Sequence, residues 1–160
     1  MGDVLKSAYL RSKAVEYLQR FIGLPYIWGD TKGSDGSPVG GDDPLAGFDC
    51  SGLISETLQA VGLLPHKTRL RASQLYEKFE AGAVACGYQG CLVFWYSSDA
   101  NERIIHVEMM VDDFHTVGAS GGGSKTTTIA EAIRANAFVK MRPLSYRGDR
   151  YLIVDPFKTE

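Results

Sequence analysis

The spacing of the apolar residues changes once along this chain, and that change restricts the fold more than any other feature of the sequence. Up to Phe79 they recur at helical intervals: Leu5, Ala8, Tyr9, Val15, Leu18 and Ile22 in an opening helix that ends near Gly23, then Leu53, Ile54, Leu58 and Val61, then Leu75, Tyr76 and Phe79 in a short helix over Ala72–Phe79. From Cys91 onward short β-type runs take over, at 91–97, 104–111, 116–120, 138–144 and 151–154, with turn residues between them. Links as short as Asp112-Asp113 join antiparallel neighbours, because a parallel crossover needs about a dozen residues or more. One late helix interrupts the strands, where Thr128-Ile129-Ala130-Glu131 has the pattern of a capping box and Ala132 and Ile133 are directed inward. Helices first and antiparallel strands after them imply an α+β architecture, N-terminal helices packed on an antiparallel β-sheet. The 160 residues show no internal repeat and are expected to form a single domain over 1–160.

The second helix carries a thiol at its start. Asp49 holds the N-cap position, Cys50 follows in the first turn, Gly62 offers a left-handed C-cap and Pro65 blocks continuation. A thiol attacks as thiolate, which the unpaired N–H groups and positive dipole end of a helix N-terminus favour. His106 lies in the 104–111 run, which reads as a buried strand, and a cysteine with a distant histidine are the two parts a thiol hydrolase needs. The plainer readings are a small buried core cysteine and a histidine satisfied within the core. Cys86 and Cys91 lack the helix-start setting, and three cysteines, an odd number, fit a reducing compartment rather than a disulfide framework. His66 falls in a surface loop, and the face taken by His115 depends on hairpin register.

No Cys/His spacing matches a zinc site. The aspartates Asp30, Asp35, Asp42 and Asp43 lie in a Gly-, Ser- and Pro-rich loop over 30–47 without calcium-loop spacing, so no metal and no cofactor is expected. That loop is expected to be a solvated rim shaping the cleft beside Cys50. A net charge of −2, with 44% hydrophobic and 22% charged residues, describes an ordinary globular chain and provides no basic field for nucleic acid or anionic lipid. No apolar run is long enough for membrane insertion. Met1 to Ser7 show no basic-then-apolar leader, so cytoplasmic synthesis is expected, with delivery to the site of action by a phage particle or a comparable device.

Four blocks in order, Leu24-Pro25-Tyr26-Ile27-Trp28-Gly29, Phe48-Asp49-Cys50-Ser51-Gly52-Leu53, Gly90-Cys91-Leu92-Val93-Phe94-Trp95 and His106-Val107, resemble the NlpC/p60 cell-wall cysteine peptidases over roughly residues 15–120. The resemblance implies a papain-like fold and hydrolysis of stem peptides of bacterial peptidoglycan, commonly between D-glutamate and diaminopimelate. It makes Cys50 the nucleophile and His106 the general base. Tyr26 becomes a cleft residue that donates to the oxyanion beside the Cys50 N–H. Asp49 and Ser51 match positions that bind the amino end of the stem peptide, while Trp28 and Gly29 read as packing and turn residues.

The sequence departs from the family pattern at the third catalytic position. About a dozen residues after the base the family places a polar residue, often histidine, and here that position is Gly118. Glu108 stands two after His106, where the family often has glycine, and strand alternation puts its carboxylate on the imidazole's face. Glu108 is therefore expected to orient His106 in place of the missing residue. Two other readings stand beside a peptidase: a non-enzymatic wall-binding or phage tail component that keeps the fold, which Gly118 favours, and an amidase or acyltransferase using the same cleft.

Overall fold

The computed structural model describes residues 2–28 and 47–158, so the expectations for the 30–47 loop, Gly47 apart, lie outside the described residues. Helix α1 (Gly2–Gln19) is followed by α2 (Cys50–Ala60), α3 (Ala72–Phe79) and α4 (Ile129–Ala135). The strands are β1 (Ala83–Val84), β2 (Leu92–Tyr96), β3 (Ile104–Met110), β4 (His115–Ser120), β5 (Phe138–Pro143) and β6 (Tyr151–Val154). They form one sheet in the order β1-β6-β2-β3-β4-β5 with every pairing antiparallel, as the short links require.

Strand alternation divides the core in two. Leu92, Phe94, Val107, Met109, Val117 and Val139 face the helices and pack with Leu53, Ile54, Leu58 and Leu75, all almost wholly buried. The opposite face holds a smaller cluster of Cys91, Val93, Trp95, Met110 and Ile153. Only the last turns of α1 join the core, through Ala14, Val15 and Leu18. Leu5 and Tyr9, expected inward, are exposed at 65% and 62%, because the first turns of α1 lie outside the main core. Arg11 instead ties that helix to the C-terminal segment by a two-pronged pair with Asp155, at 2.9 and 3.0 Å. Ile133 is likewise exposed and Ala132 alone is buried in α4. Thr128 does cap α4 by accepting from the Glu131 N–H, but the Glu131 carboxylate accepts from the Thr127 N–H and from the Thr127 and Thr128 hydroxyls rather than from the backbone N–H of the N-cap residue.

Two local features place the site. After α1 the chain turns at Gly23 (φ 98°) and residues 24–28 run as a strap between two partners. On one side Gly23 and Tyr26 donate to Val139 and Ala137; on the other Ile27 donates to Phe48, and Phe48 to Pro25. The second feature is a bulge in β3. Trp95 pairs with His106 but Tyr96 pairs with Ile104, which leaves Ile105 as the extra residue and returns Ile104 to the helix-facing core.

The strap approaches the segment leading into α2 so closely that a Cβ at Gly47 would lie 1.8 Å from the Pro25 carbonyl oxygen. Gly62, with φ 79°, has open space around its missing Cβ, so alanine there meets only the left-handed backbone penalty of about 1–2 kcal/mol. Gly47→Ala is expected to destabilise the protein by more than Gly62→Ala, read as the shift in urea midpoint at equal slope. A smaller shift for Gly47→Ala would contradict this packing of the strap.

Candidate active site

Helix α2 begins at Cys50 because Asp49, in extended conformation, accepts the Gly52 N–H at 2.7 Å and satisfies one of the orphan donors of the first turn. Cys50 is partly exposed and lines a cleft of about 530 Å³ with Tyr26, Trp28, Ser73, Arg71 and Arg103. Asp49 and Ser51 also border the cleft, although both are nearly buried. Trp28 is half exposed on the cleft wall, so it is not the packing residue expected of it.

His106 directly follows the bulge at Ile105 and meets Cys50. The ring is buried, shares a hydrogen bond with the thiol, and presents Nε2 to the Glu108 carboxylate at 2.6 Å. With Nε2 engaged, Nδ1 is the nitrogen left for sulfur. Glu108 is buried too, and its second oxygen accepts from the Thr116 hydroxyl at 2.7 Å. Trp95, across the strand pair, sets its ring 5.6 Å from the imidazole at 49°. Cys50, His106, Glu108 and Thr116 thus form one continuous chain of contacts from helix start to β4.

Gly118 and Glu108 are coupled sterically. A Cβ at position 118 would lie 2.3 Å from Glu108 Cγ and 2.6 Å from its Cδ. The glycine leaves room for the carboxylate, and the carboxylate fills the space a side chain on β4 would occupy. Glycine at 118 and the carboxylate of Glu108 therefore share one volume.

The charges reinforce one another. Burial alone would push the His106 ring down, but the Cys50 thiolate and the Glu108 carboxylate outweigh it and raise the ring to about 9. Burial would raise Glu108, yet the imidazolium, the Thr116 donor and the charge of Arg147 hold its carboxyl below the ordinary range. Burial, with the negative charges at Cys50 and Asp49, pushes the Tyr26 phenol well above its usual value, so it remains an O–H donor.

The remaining candidates lie apart. His115 faces the Asp112 carboxylate in its own hairpin turn at 3.0 Å, and His66 is exposed. Cys86 is exposed, while Cys91 is buried and its thiol is pushed up by that burial. No cluster of three or more metal-ligating side chains occurs among the described residues. Nor, among them, is any helix long and apolar enough to cross a membrane. Thr116 and Arg147 were not singled out from the sequence. Thr116 shares a strand face with position 118 and was accessible in principle from the hairpin register, whereas nothing local marks Arg147.

Residues 23–143, well over half of the chain, match the sequence model of the NlpC/P60 family. The chain belongs to that family. Solved NlpC/P60 structures share its architecture. It resembles the peptidoglycan hydrolase RipB of Mycobacterium tuberculosis at 23% identity and TM-score 0.65, over 97% of this chain and 68% of that one. A family protein of Bacillus cereus matches at 20% identity and TM-score 0.66, over 92% of this chain, which spans only 40% of that relative. The P60 domain of a Mycobacterium avium subspecies paratuberculosis antigen matches at 22% and 0.62, over 96% and 98% of the two chains. No curated protein sequence matches. In this NlpC/P60 chain, helices lying on an antiparallel six-stranded sheet give the α+β, papain-like fold of the family.

Because the ring is raised in the folded state from an ordinary 6.5 to about 9, its contribution to stability is fully present below 6.5 and is lost as pH rises through about 9. An NMR titration of the His106 ring should show a midpoint near 9. Gly118→Ala should lower that midpoint by displacing Glu108. An unchanged midpoint in the variant would disprove the coupling.

Proposed function

We propose that this chain is a thiol endopeptidase acting on peptidoglycan stem peptides, at a bond of the D-glutamate–diaminopimelate type. The observation that carries the reading is the buried His106 ring held between the Cys50 thiol and a carboxylate at 2.6 Å. An imidazole raised to about 9 is a cation at neutral pH, and a cation beside Cys50 favours the charged sulfur that a nucleophile requires. Family membership and the description of the similar RipB as a peptidoglycan hydrolase support the substrate class.

In the proposed reaction the Cys50 thiolate attacks the scissile carbonyl carbon, forming a C–S bond and an oxyanion. The Cys50 N–H and the Tyr26 O–H donate to that oxygen as its charge develops. His106 gives its proton to the leaving nitrogen, the C–N bond breaks and a thioester remains. The neutral ring then takes a proton from water, the resulting hydroxide adds to the thioester, and collapse releases the carboxylate product and the thiolate. Glu108, held by Thr116, keeps the ring in orientation and stabilises its charged form. Asp49 and Ser51, which border the cleft, bind the amino end of the acyl portion in this reading.

Gly118 was the feature that favoured a non-catalytic module. With the Glu108 carboxylate on the ring, the glycine no longer implies an unoriented base. An amidase or acyltransferase differs in the bond cut or the acceptor, so product analysis separates these from a peptidase.

Digestion of purified peptidoglycan followed by mass spectrometry of new termini should reveal free γ-carboxyl ends on glutamate. Cys50→Ala should abolish their appearance, and His106→Ala should slow it by about 10²-fold or more. Product release by Cys50→Ala at the native rate would remove the nucleophile assignment. The rate should fall on the alkaline side near pH 9, where His106 loses its proton. Glu108→Gln, which removes the charge sustaining that proton, should move the limb to lower pH and reduce the maximal rate. A limb that stays in place would leave Glu108 without the proposed role.

A further inference from the structure

Beyond His106 the site continues into a group of cations for which the proposed chemistry has no use. Ser120, only 2% exposed, is the last residue of β4 and accepts hydrogen bonds from two guanidiniums, Arg147 Nη2 at 2.6 Å and Arg142 Nη1 at 3.3 Å. A serine hydroxyl is neutral and cannot balance two positive charges brought to one oxygen. Neither arginine is within ion-pair distance of a carboxylate among the described residues. Both are held in place regardless: Arg142 lies 4.1 Å from the centroid of the Tyr146 ring, and Arg147 lies 5.8 Å from that of Trp95.

The position of this pair relates it to the reacting centre. Trp95, under Arg147, is the cross-strand partner of His106. Gly122, two residues beyond Ser120, abuts Tyr26, since a Cβ there would lie 2.2 Å from the phenol ring. The charge of Arg147 is felt at both Glu108 and Tyr26. Yet none of Ser120, Arg142 and Arg147 lines the cleft that holds Cys50, so the pair adjoins that cleft rather than belonging to it. Two guanidiniums left with unused N–H forks at the edge of a hydrolytic site suit a planar anion bound in two-pronged fashion, which is a carboxylate.

We propose that Arg142 and Arg147, converging on Ser120, bind a carboxylate on the part of the substrate that departs as the amine. The assignment rests on the endopeptidase reading, in which His106 protonates the leaving nitrogen and so has the departing portion beside it. The proposal makes these two arginines determinants of specificity for an acidic leaving group.

The test compares L-alanyl-γ-D-glutamyl-diaminopimelate with the same peptide carrying both diaminopimelate carboxyls as amides. Native protein should favour the free acid in kcat/KM by about tenfold to a hundredfold, the scale of a hydrogen bond to a charged group. Arg147→Gln should bring that ratio close to one, chiefly through KM for the acid, and Arg147→Lys should recover part of it. Arg147→Gln also removes a charge from the neighbourhood of Glu108, but that effect falls on both peptides alike and leaves the ratio unchanged. A native ratio near one, or an equal loss on both peptides, overturns the subsite. Should native protein cleave neither peptide, the endopeptidase reading fails and calorimetric binding decides the subsite. Tighter binding of the acid that Arg147→Gln abolishes sustains it, and equal binding of the two peptides overturns it.

Discussion

Everything else in this molecule is arranged around an imidazole and a carboxylate that meet away from water at 2.6 Å. Moving two ionised groups out of solvent carries a desolvation penalty of several kcal/mol each unless every remaining lone pair and proton finds a partner. Here each one does. The ring is engaged at both nitrogens, by Cys50 and Glu108, and the carboxylate divides its oxygens between His106 and Thr116. Removing any one member leaves a buried charge exposed to the low-dielectric interior, so the four side chains act as a unit whose parts are not independently replaceable. Those partners, against the effect of burial, keep the ring cationic.

The resemblance read from the sequence places the residue that orients the base on the strand next to the histidine; here the carboxylate that meets the ring comes from the histidine's own strand. That exchange works because β3 and β4 are neighbours and their side chains on one face compete for the same volume. A carboxylate at 108 and a glycine at 118 fill the space that the reverse arrangement would fill from the other side. Two positions that look unrelated ten residues apart share one packing volume, and Glu108 in this place excludes a side chain at 118.

Much of this was legible in the sequence, and the reasons differ by element. Helix α2 was readable because Asp49, Gly62 and the Leu53/Ile54/Leu58 spacing agree on its start, end and buried face. The Glu108–His106 contact followed from strand alternation alone. Helix α1 was readable as a helix but not in its burial, since periodicity at Leu5 and Tyr9 says which side they share and not whether anything packs there. Strand β1 has only Ala83 and Val84, too short for an alternating pattern, and exists because β6 offers it an edge. The contribution of Arg147 comes from a single 3₁₀ turn after β5 folding back over β4, which no local pattern encodes.

The strap of residues 24–28 has a consequence for biosynthesis. Tyr26 is positioned by backbone bonds to Ala137, and Gly23 by one to Val139, more than a hundred residues later in the chain. Contacts this distant in sequence form late, after a large loop closure, and a chain emerging from the ribosome acquires them only when β5 is free to pair. The thiol, the imidazole and the carboxylate are therefore all synthesised well before the wall of the cleft that faces them is in position. A nascent or truncated chain that ends before β5 carries Cys50, His106 and Glu108 without the strap anchored over them, and the complete site exists only once β5 has been made.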